Sequence, residues 1–261
     1  MNLLYSIFVF GFGLVFGSFL NVCIQRMPED KSIVFPGSHC PKCKKPIRWQ
    51  DNIPVFSWIL LKGKCRDCGE RIAFRYPMVE LANAILWLLL FQKYGFTSFF
   101  FAGIVYFSIL LAVTMTDLET GLIPDFLSLP GIVLGIIFST VWPELQNAAN
   151  PLKGLIASLL GVLAGGGVLY AMGMLGNWLF KKESMGGGDI KLLAMIGAFL
   201  GPFDAFLMLP LSAIISMPIA LYARFFKKAE TIPFGPFLAL AGAWVFLYGD
   251  TMAKHFPLFN W

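Results

Sequence analysis

Charged side chains are scarce in this sequence. Only 13% of its 261 residues are charged and 57% are apolar, whereas an average soluble domain is about one quarter charged. The apolar residues recur in long runs along nearly the whole chain, separated by brief polar loops. Because a membrane-spanning helix needs about 20 predominantly apolar residues, this composition argues against an ordinary water-soluble protein. It predicts an all-α polytopic membrane protein.

Eight apolar segments are candidates for membrane-spanning helices, and two of them, 77–92 and 190–201, are short. The longer segments are 3–24, 96–115, 126–142, 152–180, 204–226 and 236–250. The first segment lacks the basic start of a signal peptide, and its apolar run exceeds the roughly 7–15 residues of a signal-peptide core. We therefore expect about eight transmembrane helices, of which the first is retained.

Basic residues are unevenly distributed, and their distribution predicts an orientation. The polar stretch 26–76 holds 11 of the 20 Lys and Arg residues, and such residues concentrate on the cytoplasmic side. With eight spans, the loops at 116–125, 181–191 and 224–235 are also cytoplasmic, which places 17 of the 20 basic residues on that side. Both termini then lie outside the cytoplasm. We assign much of this charge to contact with anionic lipid headgroups and expect no nucleic-acid partner.

The polar segment between the first two spans carries two Cys-x-x-Cys pairs. Cys40 and Cys43 form the first pair, and Cys65 and Cys68 form the second after 21 intervening residues. This is the pattern of a tetrahedral zinc site, and a polar loop of about 50 residues with little core gains folding energy from a metal. Four cysteines leave no open coordination position, which predicts a structural zinc ion.

Alternatives stay open for these cysteines. They could be reduced thiols or two redox pairs, although disulfides are disfavoured in the cytoplasm, and His39 could replace one cysteine as a ligand. The predicted organisation is a first span at 1–25, a small cytoplasmic zinc-binding domain at 26–76, and a membrane domain at 77–261 with about seven further spans.

Carboxylates cluster in two loops that are both predicted to face the cytoplasm. Asp117, Glu119 and Asp125 lie between the third and fourth spans, and Glu183 and Asp189 lie between the fifth and sixth. Ionisable groups at a membrane are costly and tend to mark function. The two loops are distant in sequence, but carboxylates from both can meet at one membrane face.

Three glycines, residues 186–188, directly precede Asp189, and the apolar stretch that follows ends near Leu200. A helix this short cannot cross about 30 Å of hydrocarbon, so we expect it to begin below the membrane surface, with Asp189 in a water-accessible notch. The glycines suit irregular backbone and the close approach of a substrate strand. From these residues alone, an Asp117–Asp189 catalytic pair, helix N-caps and a proton relay all stay open.

Short motifs follow one another along nearly the whole chain. They are Gly17-Ser18-Phe19-Leu20-Asn21-Val22, Arg26-Met27-Pro28, Ser38-His39-Cys40-Pro41-Lys42-Cys43, Asn52-Ile53-Pro54, Arg75-Tyr76-Pro77-Met78-Val79-Glu80, Asp117 to Asp125, Met185-Gly186-Gly187-Gly188-Asp189 and Ile232-Pro233-Phe234-Gly235-Pro236. Each motif alone is weak. In this order and spacing, the sequence resembles the type 4 prepilin peptidases, also called leader peptidases/N-methyltransferases.

The resemblance implies a membrane aspartic peptidase of the Gly-x-Gly-Asp type, with Asp117 and Asp189 as the catalytic residues. Asp125, Gly186 and Gly188 would have supporting roles. The implied substrates are prepilins and pseudopilins of type IV pilus and type II secretion systems, which carry a short basic leader before a long apolar helix. The implied location is the bacterial inner membrane, with the active site facing the cytoplasm. Two carboxylates held close cannot both ionise easily, so we expect them to share a proton.

The resemblance also implies N-methylation of the new N-terminus with S-adenosylmethionine, and we expect the zinc-binding segment to contribute. The sequence has no Gly-rich nucleotide-binding loop after a strand, so the cofactor site is not located. Arg75 and Glu80 are candidate contacts, and an ion pair or an interface anchor is the alternative role for both. The alternative function is a polytopic transporter with a carboxylate proton relay and a regulatory zinc loop. Inverted repeats are typical of transporters, and none is evident here.

Overall fold

The computed structural model describes residues 3–181, 186–226 and 232–255. Of the residues named above, Glu183 and Met185 lie outside these ranges. The described chain is helical, as predicted, and contains nine α-helices. They are α1 (Leu3–Arg26), α2 (Phe56–Leu60), α3 (Arg75–Tyr94), α4 (Ser98–Thr120), α5 (Asp125–Val141), α6 (Pro151–Phe180), α7 (Gly187–Leu200), α8 (Pro202–Phe226) and α9 (Gly235–His255).

Eight of these helices coincide with the eight apolar segments of the sequence, and the ninth, α2, has only five residues. In the described part of the chain, four helical segments are long and apolar enough to cross a membrane. They are Leu3–Glu29, Ser98–Thr120, Pro151–Leu179 and Pro202–Ala223. The helices Asp125–Val141 and Gly235–Gly249 are apolar but shorter. The protein is therefore a membrane protein by the length and composition of its helices, and the count of eight spans stays a prediction.

The chain divides into two compact units, Met1–Ala112 and Val113–Trp261. The first unit contains α1 to α3, most of α4 and the segment with the two cysteine pairs. The second unit contains the end of α4 and helices α5 to α9. The carboxylates at positions 117, 125 and 189 therefore all belong to the second unit.

Helices α1 and α3 form a closely packed antiparallel pair in the first unit. The two glycines of α1 that face α3 leave no room for a side chain. If Gly13 carried a Cβ atom, it would lie 2.7 Å from the Cα of Ala84, and a Cβ atom on Gly17 would lie 2.7 Å from the Cα of Glu80. The side-chain amide of Asn83 donates a hydrogen bond to the Gly13 carbonyl at 2.8 Å. Small residues and interhelical hydrogen bonds are typical of helix packing in membranes. This pair holds both ends of the cysteine-bearing segment.

Helix α7 is the buried helix of the second unit. Its 14 residues give a length of about 21 Å at 1.5 Å per residue, which confirms the prediction of a short sixth apolar helix. All residues from 192 to 199 are buried. Helix α6 approaches α7 so closely that a Cβ atom on Gly161 would lie 2.0 Å from the carbonyl oxygen of Gly197. The position of α7 is therefore fixed by contact between helix backbones.

Polar side chains satisfy the carbonyl groups at the C-terminal end of α7. The Ala198 carbonyl accepts hydrogen bonds from the hydroxyls of Ser139 at 3.0 Å and Ser158 at 2.8 Å. The amide of Gln146 donates to the carbonyls of Ala198 at 3.2 Å and Phe199 at 3.0 Å. A helix leaves its last carbonyls without intrahelical partners. These side chains therefore stabilise the end of a helix that stops among buried residues.

Candidate active site and metal centre

Asp117 lies in the last turn of α4, and only 5% of it is exposed. The helix ends at Thr120, and Gly121 follows with a φ of +67°. The Gly121 N–H donates to the Asp117 carbonyl at 2.9 Å. A glycine in the left-handed region is a common end of a helix. The sequence thus stops α4 shortly after the carboxylate and turns the chain back towards α5.

The start of α9 supplies a hydrogen-bond donor to Asp117. The backbone N–H of Gly235 donates to Oδ2 of Asp117 at 2.9 Å. A Cβ atom on Gly235 would lie 2.7 Å from the same oxygen and 3.1 Å from Cδ1 of Ile123, so a larger residue would displace its neighbours. Sequence reasoning placed Gly235 in a motif without giving it a role. The available signal was the Gly-Pro pair before the last apolar segment, since proline is favoured in the first turn of a helix.

Asp189 is the third residue of α7 and is half-buried. Gly186 occupies the N-cap position, and no side chain caps this helix. The geometry therefore does not assign Asp189 to an N-cap. Ile123, in the loop after α4, contacts both the glycine before Asp189 and the glycine whose N–H binds Asp117. The two carboxylates thus lie on segments that share one packing contact, and their catalytic pairing stays a prediction.

The three glycines before Asp189 differ in their surroundings. A Cβ atom on Gly188 would lie 2.8 Å from the Cβ of Ile123, and one on Gly186 would lie 3.2 Å from Oδ2 of Asp189. A Cβ atom on Gly187 would meet nothing within 4 Å. Ile123 thus packs the loop after α4 against the start of α7. Glycine at position 188 permits this contact, which keeps the two carboxylates in adjacent segments.

Asp125 pairs with a cation. It is the first residue of α5, and its carboxylate oxygens lie 2.6 and 2.7 Å from Nζ of Lys191. Both side chains are partly exposed, Lys191 at 39% and Asp125 at 53%. Exposed ion pairs contribute about 0–1 kcal/mol to stability. The main structural effect of the pair is to join the start of α5 to α7, two residues after Asp189.

The four cysteines converge in the first unit. The Sγ atoms of Cys40, Cys43, Cys65 and Cys68 all lie within 4.8 Å of one another. The Sγ atoms of Cys40 and Cys68 are 3.8 Å apart, and tetrahedral Zn–S bonds of about 2.3 Å place sulfur atoms about 3.8 Å apart. The cluster therefore fits a zinc ion. His39 is not part of this group of four, and its Nδ1 lies 3.0 Å from the Gly37 carbonyl.

Each Cys-x-x-Cys pair occupies a tight turn closed by a β-bridge. The bridges join His39 to Pro46 and Lys64 to Arg71. In the first turn, the backbone N–H groups of Cys43 and Lys42 lower the pKa of the Cys40 thiol to about 6. A low pKa favours the thiolate, which is the form that binds metals. The two turns have the same construction, as expected for two halves of one metal site.

Ion pairs surround the cysteine cluster and connect its parts. They join Lys42 to Glu70, Lys45 to Asp67 at 3.1 Å, and Arg66 to Asp51 at 2.6 Å. The first two pairs connect one cysteine turn to the other. Because most of these side chains are exposed, each pair contributes little stability by itself. Because each cation is matched by a carboxylate, these pairs add no net charge beside the four thiols.

Arg75 and Glu80, the two cofactor candidates, lie in the first turns of α3. Glu80 is only 7% exposed. Its carboxylate accepts hydrogen bonds from the Val55 N–H at 2.7 Å and from the Ser18 hydroxyl. The Arg75 guanidinium lies 4.8 Å from the centre of the Tyr76 ring. Glu80 thus connects α1, α3 and the cysteine-bearing segment, and a cofactor contact stays a prediction.

Comparisons with known proteins cover both units. Residues 11–94 match the bacterial peptidase A24 N-terminal domain, and residues 104–221 match the type IV leader peptidase family. The chain is 34% identical to a prepilin leader peptidase/N-methyltransferase of Neisseria gonorrhoeae, over 92% of this chain and 89% of that protein. It is 35% identical to the protein of the same name from Aeromonas salmonicida (strain A449), over 96% and 93%. It is 36% identical to a type 4 prepilin-like proteins leader peptide-processing enzyme of Escherichia coli O78:H11, over 88% and 89%. No solved structure matches the chain.

Proposed function

Because the chain belongs to the type IV leader peptidase family, we propose that it removes the leader from type 4 prepilins and pseudopilins, with Asp117 and Asp189 as catalytic residues. The observation that supports this assignment is the packing of Ile123 against both Gly188, next to Asp189, and Gly235, whose N–H binds Asp117. The names of the relatives support prepilin processing. In this proposal, the two aspartates hydrolyse the peptide bond between the leader and the rest of the prepilin.

The surroundings of the two carboxylates suit different roles. Asp117 accepts the Gly235 N–H, and a hydrogen bond to a carboxylate favours its ionised form and so opposes the effect of its burial. Asp189 is half-buried, beside a glycine backbone that a substrate strand can approach. We assign Asp117 as the general base and Asp189 as the protonated partner.

In the proposed reaction, Asp117 removes a proton from a water molecule while protonated Asp189 donates a hydrogen bond to the scissile carbonyl. As the water oxygen bonds to the carbonyl carbon, the carbonyl π bond breaks and Asp189 transfers its proton to the carbonyl oxygen, which gives a tetrahedral gem-diol. Its collapse breaks the C–N bond: the leaving nitrogen takes the proton held by Asp117, and one gem-diol hydroxyl returns its proton to Asp189 as the carboxylic acid forms. No covalent acyl-enzyme forms. General acid–base assistance of this kind contributes about 10²–10⁴-fold per group.

The cytoplasmic location predicted for the site agrees with the substrate architecture that the family resemblance implies. A basic leader stays on the cytoplasmic side, and the apolar helix after the leader enters the bilayer. The scissile bond then lies at the cytoplasmic membrane face, where the sequence places both aspartates. We propose that this face belongs to the bacterial inner membrane. The exposed backbone at Gly186, which lies beside the Asp189 carboxylate, is where the substrate would enter.

The cysteine cluster is proposed to hold a structural zinc ion. Cys40, Cys43, Cys65 and Cys68 would bind it as thiolates and leave no position for a substrate. The ion would stabilise the two turns, which otherwise depend on β-bridges and exposed ion pairs. It has no step in peptide hydrolysis in this proposal.

A second proposed activity is methylation of the amine that cleavage releases. The relatives are named N-methyltransferases, which implies S-adenosylmethionine as the methyl donor. The amine nitrogen would attack the methyl carbon, the S–CH3 bond would break, and the amine would lose a proton. Arg75 and Glu80 are the candidate contacts. Glu80 already accepts the Val55 N–H, so a cofactor contact requires this carboxylate to be shared.

The decisive experiment uses a peptide with a basic leader, a Gly at the cleavage point and an apolar helix. The detergent-solubilised protein is incubated with it, and the product N-terminus is read by mass spectrometry. We expect cleavage by the wild type and none by Asp117→Ala or Asp189→Ala. Glu144→Ala is the matched control, because it removes an exposed carboxylate from the same unit. With S-adenosylmethionine, the product should gain the mass of one methyl group.

The opposite results separate the proposed activities. Equal cleavage by wild type and Asp189→Ala would remove the aspartate pair from the mechanism. Cleavage without methyl gain, in the presence of the donor, would refute the second activity alone. If the wild type does not cleave the peptide, the alternative hypothesis of a proton-relay transporter is favoured. Proton flux into vesicles that contain the protein would test that hypothesis.

A further inference from the structure

Residues 53–61 form an uncharged stretch inside a charged segment. Their sequence, Ile-Pro-Val-Phe-Ser-Trp-Ile-Leu-Leu, lies between Asp51 and Lys62 and contains α2. The exposed apolar side chains are Ile53 at 43%, Phe56 at 61%, Ile59 at 59% and Leu60 at 78%. A set of large exposed apolar residues marks an interaction surface. This surface therefore needs a partner.

Trp49 extends this apolar set at its N-terminal side. It is 81% exposed and lies in a short helical turn, Trp49–Asn52. The Ser57 hydroxyl donates to the Gln50 carbonyl at 2.9 Å and so ties this turn to α2. Tryptophan is enriched at membrane–water interfaces, where one end of its ring system is apolar and the other is wet.

A hydrogen bond to Glu80 determines where residues 53–61 lie along the length of the α1–α3 pair. The Val55 N–H donates to Glu80 at 2.7 Å, and Glu80 packs against Gly17. The charged ends of the two helices are Arg26 and Arg75. At 1.5 Å per residue, the Gly17 contact lies about 14 Å from the end of α1, and Glu80 lies about 8 Å from the start of α3. The stretch is therefore anchored beside the apolar part of the helix pair.

The backbone of this stretch has internal partners. The Ile53 N–H donates to the Ser57 hydroxyl at 3.0 Å, and the Ser57 N–H donates to the Ile53 carbonyl at 3.0 Å. The indole N–H of Trp58 donates to the Ile72 carbonyl at 3.1 Å. The Val55 N–H is bound to Glu80, as described above. Non-helical backbone near lipid requires such partners, because water is scarce there.

We propose that residues 53–61 form a lipid anchor, which inserts its exposed apolar side chains into the interfacial layer of the bilayer beside α1 and α3. The Val55–Glu80 contact lies away from the charged ends of α1 and α3, and residues 53–61 carry no charge. Both observations favour lipid over a protein as the partner of this surface. Lys62 and Lys64 follow directly and are placed to meet anionic headgroups. An apolar helix of a substrate or a second copy of the chain would not account for these lysines.

The anchor changes the expected position of the cysteine-bearing segment. The sequence placed residues 26–76 wholly in the cytoplasm, whereas the proposal puts their middle part within the membrane interface. The cysteine turns on either side of the anchor stay in the cytoplasm, as the sequence placed them. The proposal concerns lipid contact alone and does not depend on the enzymatic activities.

Photo-crosslinking of the full-length protein in lipid vesicles tests the anchor. The variants Phe56→p-benzoylphenylalanine and Leu60→p-benzoylphenylalanine place a photoreactive ring at two exposed anchor positions. Lys44→p-benzoylphenylalanine is the control, because Lys44 is exposed on the first cysteine turn. The vesicles contain phosphatidylethanolamine and phosphatidylglycerol. After illumination, mass spectrometry measures covalent phospholipid adducts, and the zinc-to-protein ratio shows that each variant keeps its cysteine turns.

Phospholipid adducts at positions 56 and 60, about tenfold above those at position 44, are the expected result for an apolar surface seated in the interface. Adducts to a second copy or to another part of the chain would overturn the proposal. So would equal lipid adducts at positions 44 and 60, or no lipid adduct at 60. Because the readout is a lipid adduct, loss of peptidase activity does not affect it.

Discussion

The backbone N–H of Gly235 donates a hydrogen bond to Oδ2 of Asp117 at 2.9 Å, across 118 positions of the sequence. The donor is the first residue of α9, and the acceptor lies in the last turn of α4. The N-terminus of a helix carries partial positive charge, so this contact stabilises a carboxylate and fixes its orientation. A glycine that needs no contact with the substrate therefore controls a proposed catalytic group.

Substitution of this glycine should reduce peptidase activity. In Gly235→Ala, the added Cβ atom would lie 2.7 Å from Oδ2 of Asp117 and would displace the carboxylate. A displacement of about 1 Å can cost about 100-fold in rate, and we expect a loss of this order in kcat for leader cleavage. Gly167→Ala is the control, since its Cβ atom would meet nothing within 4 Å. Unchanged kcat in folded Gly235→Ala would contradict the positioning role.

The glycines before Asp189 provide a matched pair of variants. Gly188→Ala places a Cβ atom 2.8 Å from the Cβ of Ile123, whereas Gly187→Ala meets nothing within 4 Å. We expect Gly188→Ala to separate the start of α7 from the loop after α4 and to lower the cleavage rate at least about tenfold. Gly187→Ala should cleave within about twofold of the wild type. Equal rates for the two variants, measured on the same leader peptide, would rule out this packing constraint.

Much of the architecture could be predicted from local sequence. Apolar runs of sufficient length gave the positions of eight helices, because burial of an apolar helix requires continuous apolar sequence. The spacing of Cys40, Cys43, Cys65 and Cys68 predicted the convergence of the four thiols, because two Cys-x-x-Cys turns can present sulfur atoms with tetrahedral geometry. The two acidic loops were also recognisable, since carboxylates are uncommon beside long apolar segments.

Contacts between distant segments could not be predicted in this way. The sequence left Asp117 and Asp125 as equal candidates, and only the resemblance to known peptidases distinguished them. The start of α9 packs against Asp117, which is buried, whereas Asp125 is exposed beside Lys191. The bond between Val55 and Glu80 likewise depends on how a loop folds over a helix pair. No spacing or periodicity contains that information.

The Asp125–Lys191 ion pair should affect the position of α7 more than its stability. Because both side chains are partly exposed, Lys191→Ala should lower the free energy of unfolding by no more than about 1 kcal/mol. We expect a larger effect on cleavage, because the pair joins α5 to the turn that carries Asp189. The exchange variant Asp125→Lys with Lys191→Asp should recover part of the lost rate. A double variant slower than both single variants would show that the pair has no positioning role.

Removal of the polar cap on α7 should destabilise the second unit. Gln146 donates to the carbonyls of Ala198 and Phe199. The Ala198 carbonyl keeps its two serine donors, so the expected cost is that of lost hydrogen bonds, about 0.5–1.5 kcal/mol each. We expect Gln146→Ala to lower the unfolding temperature in detergent. Glu144→Ala, in the same short turn and exposed, should leave it unchanged. Identical shifts for both variants would indicate a general effect of the turn.

Zinc content tests the cysteine cluster independently of catalysis. Four converging Sγ atoms predict about one zinc ion per chain, measured by elemental mass spectrometry on purified protein. Cys43→Ser should remove most of this zinc and expose residues 38–72 to limited proteolysis, because the metal supplies folding energy to the two turns. Cys23→Ser is the control, since Cys23 is buried within α1. Wild-type zinc content in Cys43→Ser, or equal loss in Cys23→Ser, would contradict the four-cysteine site.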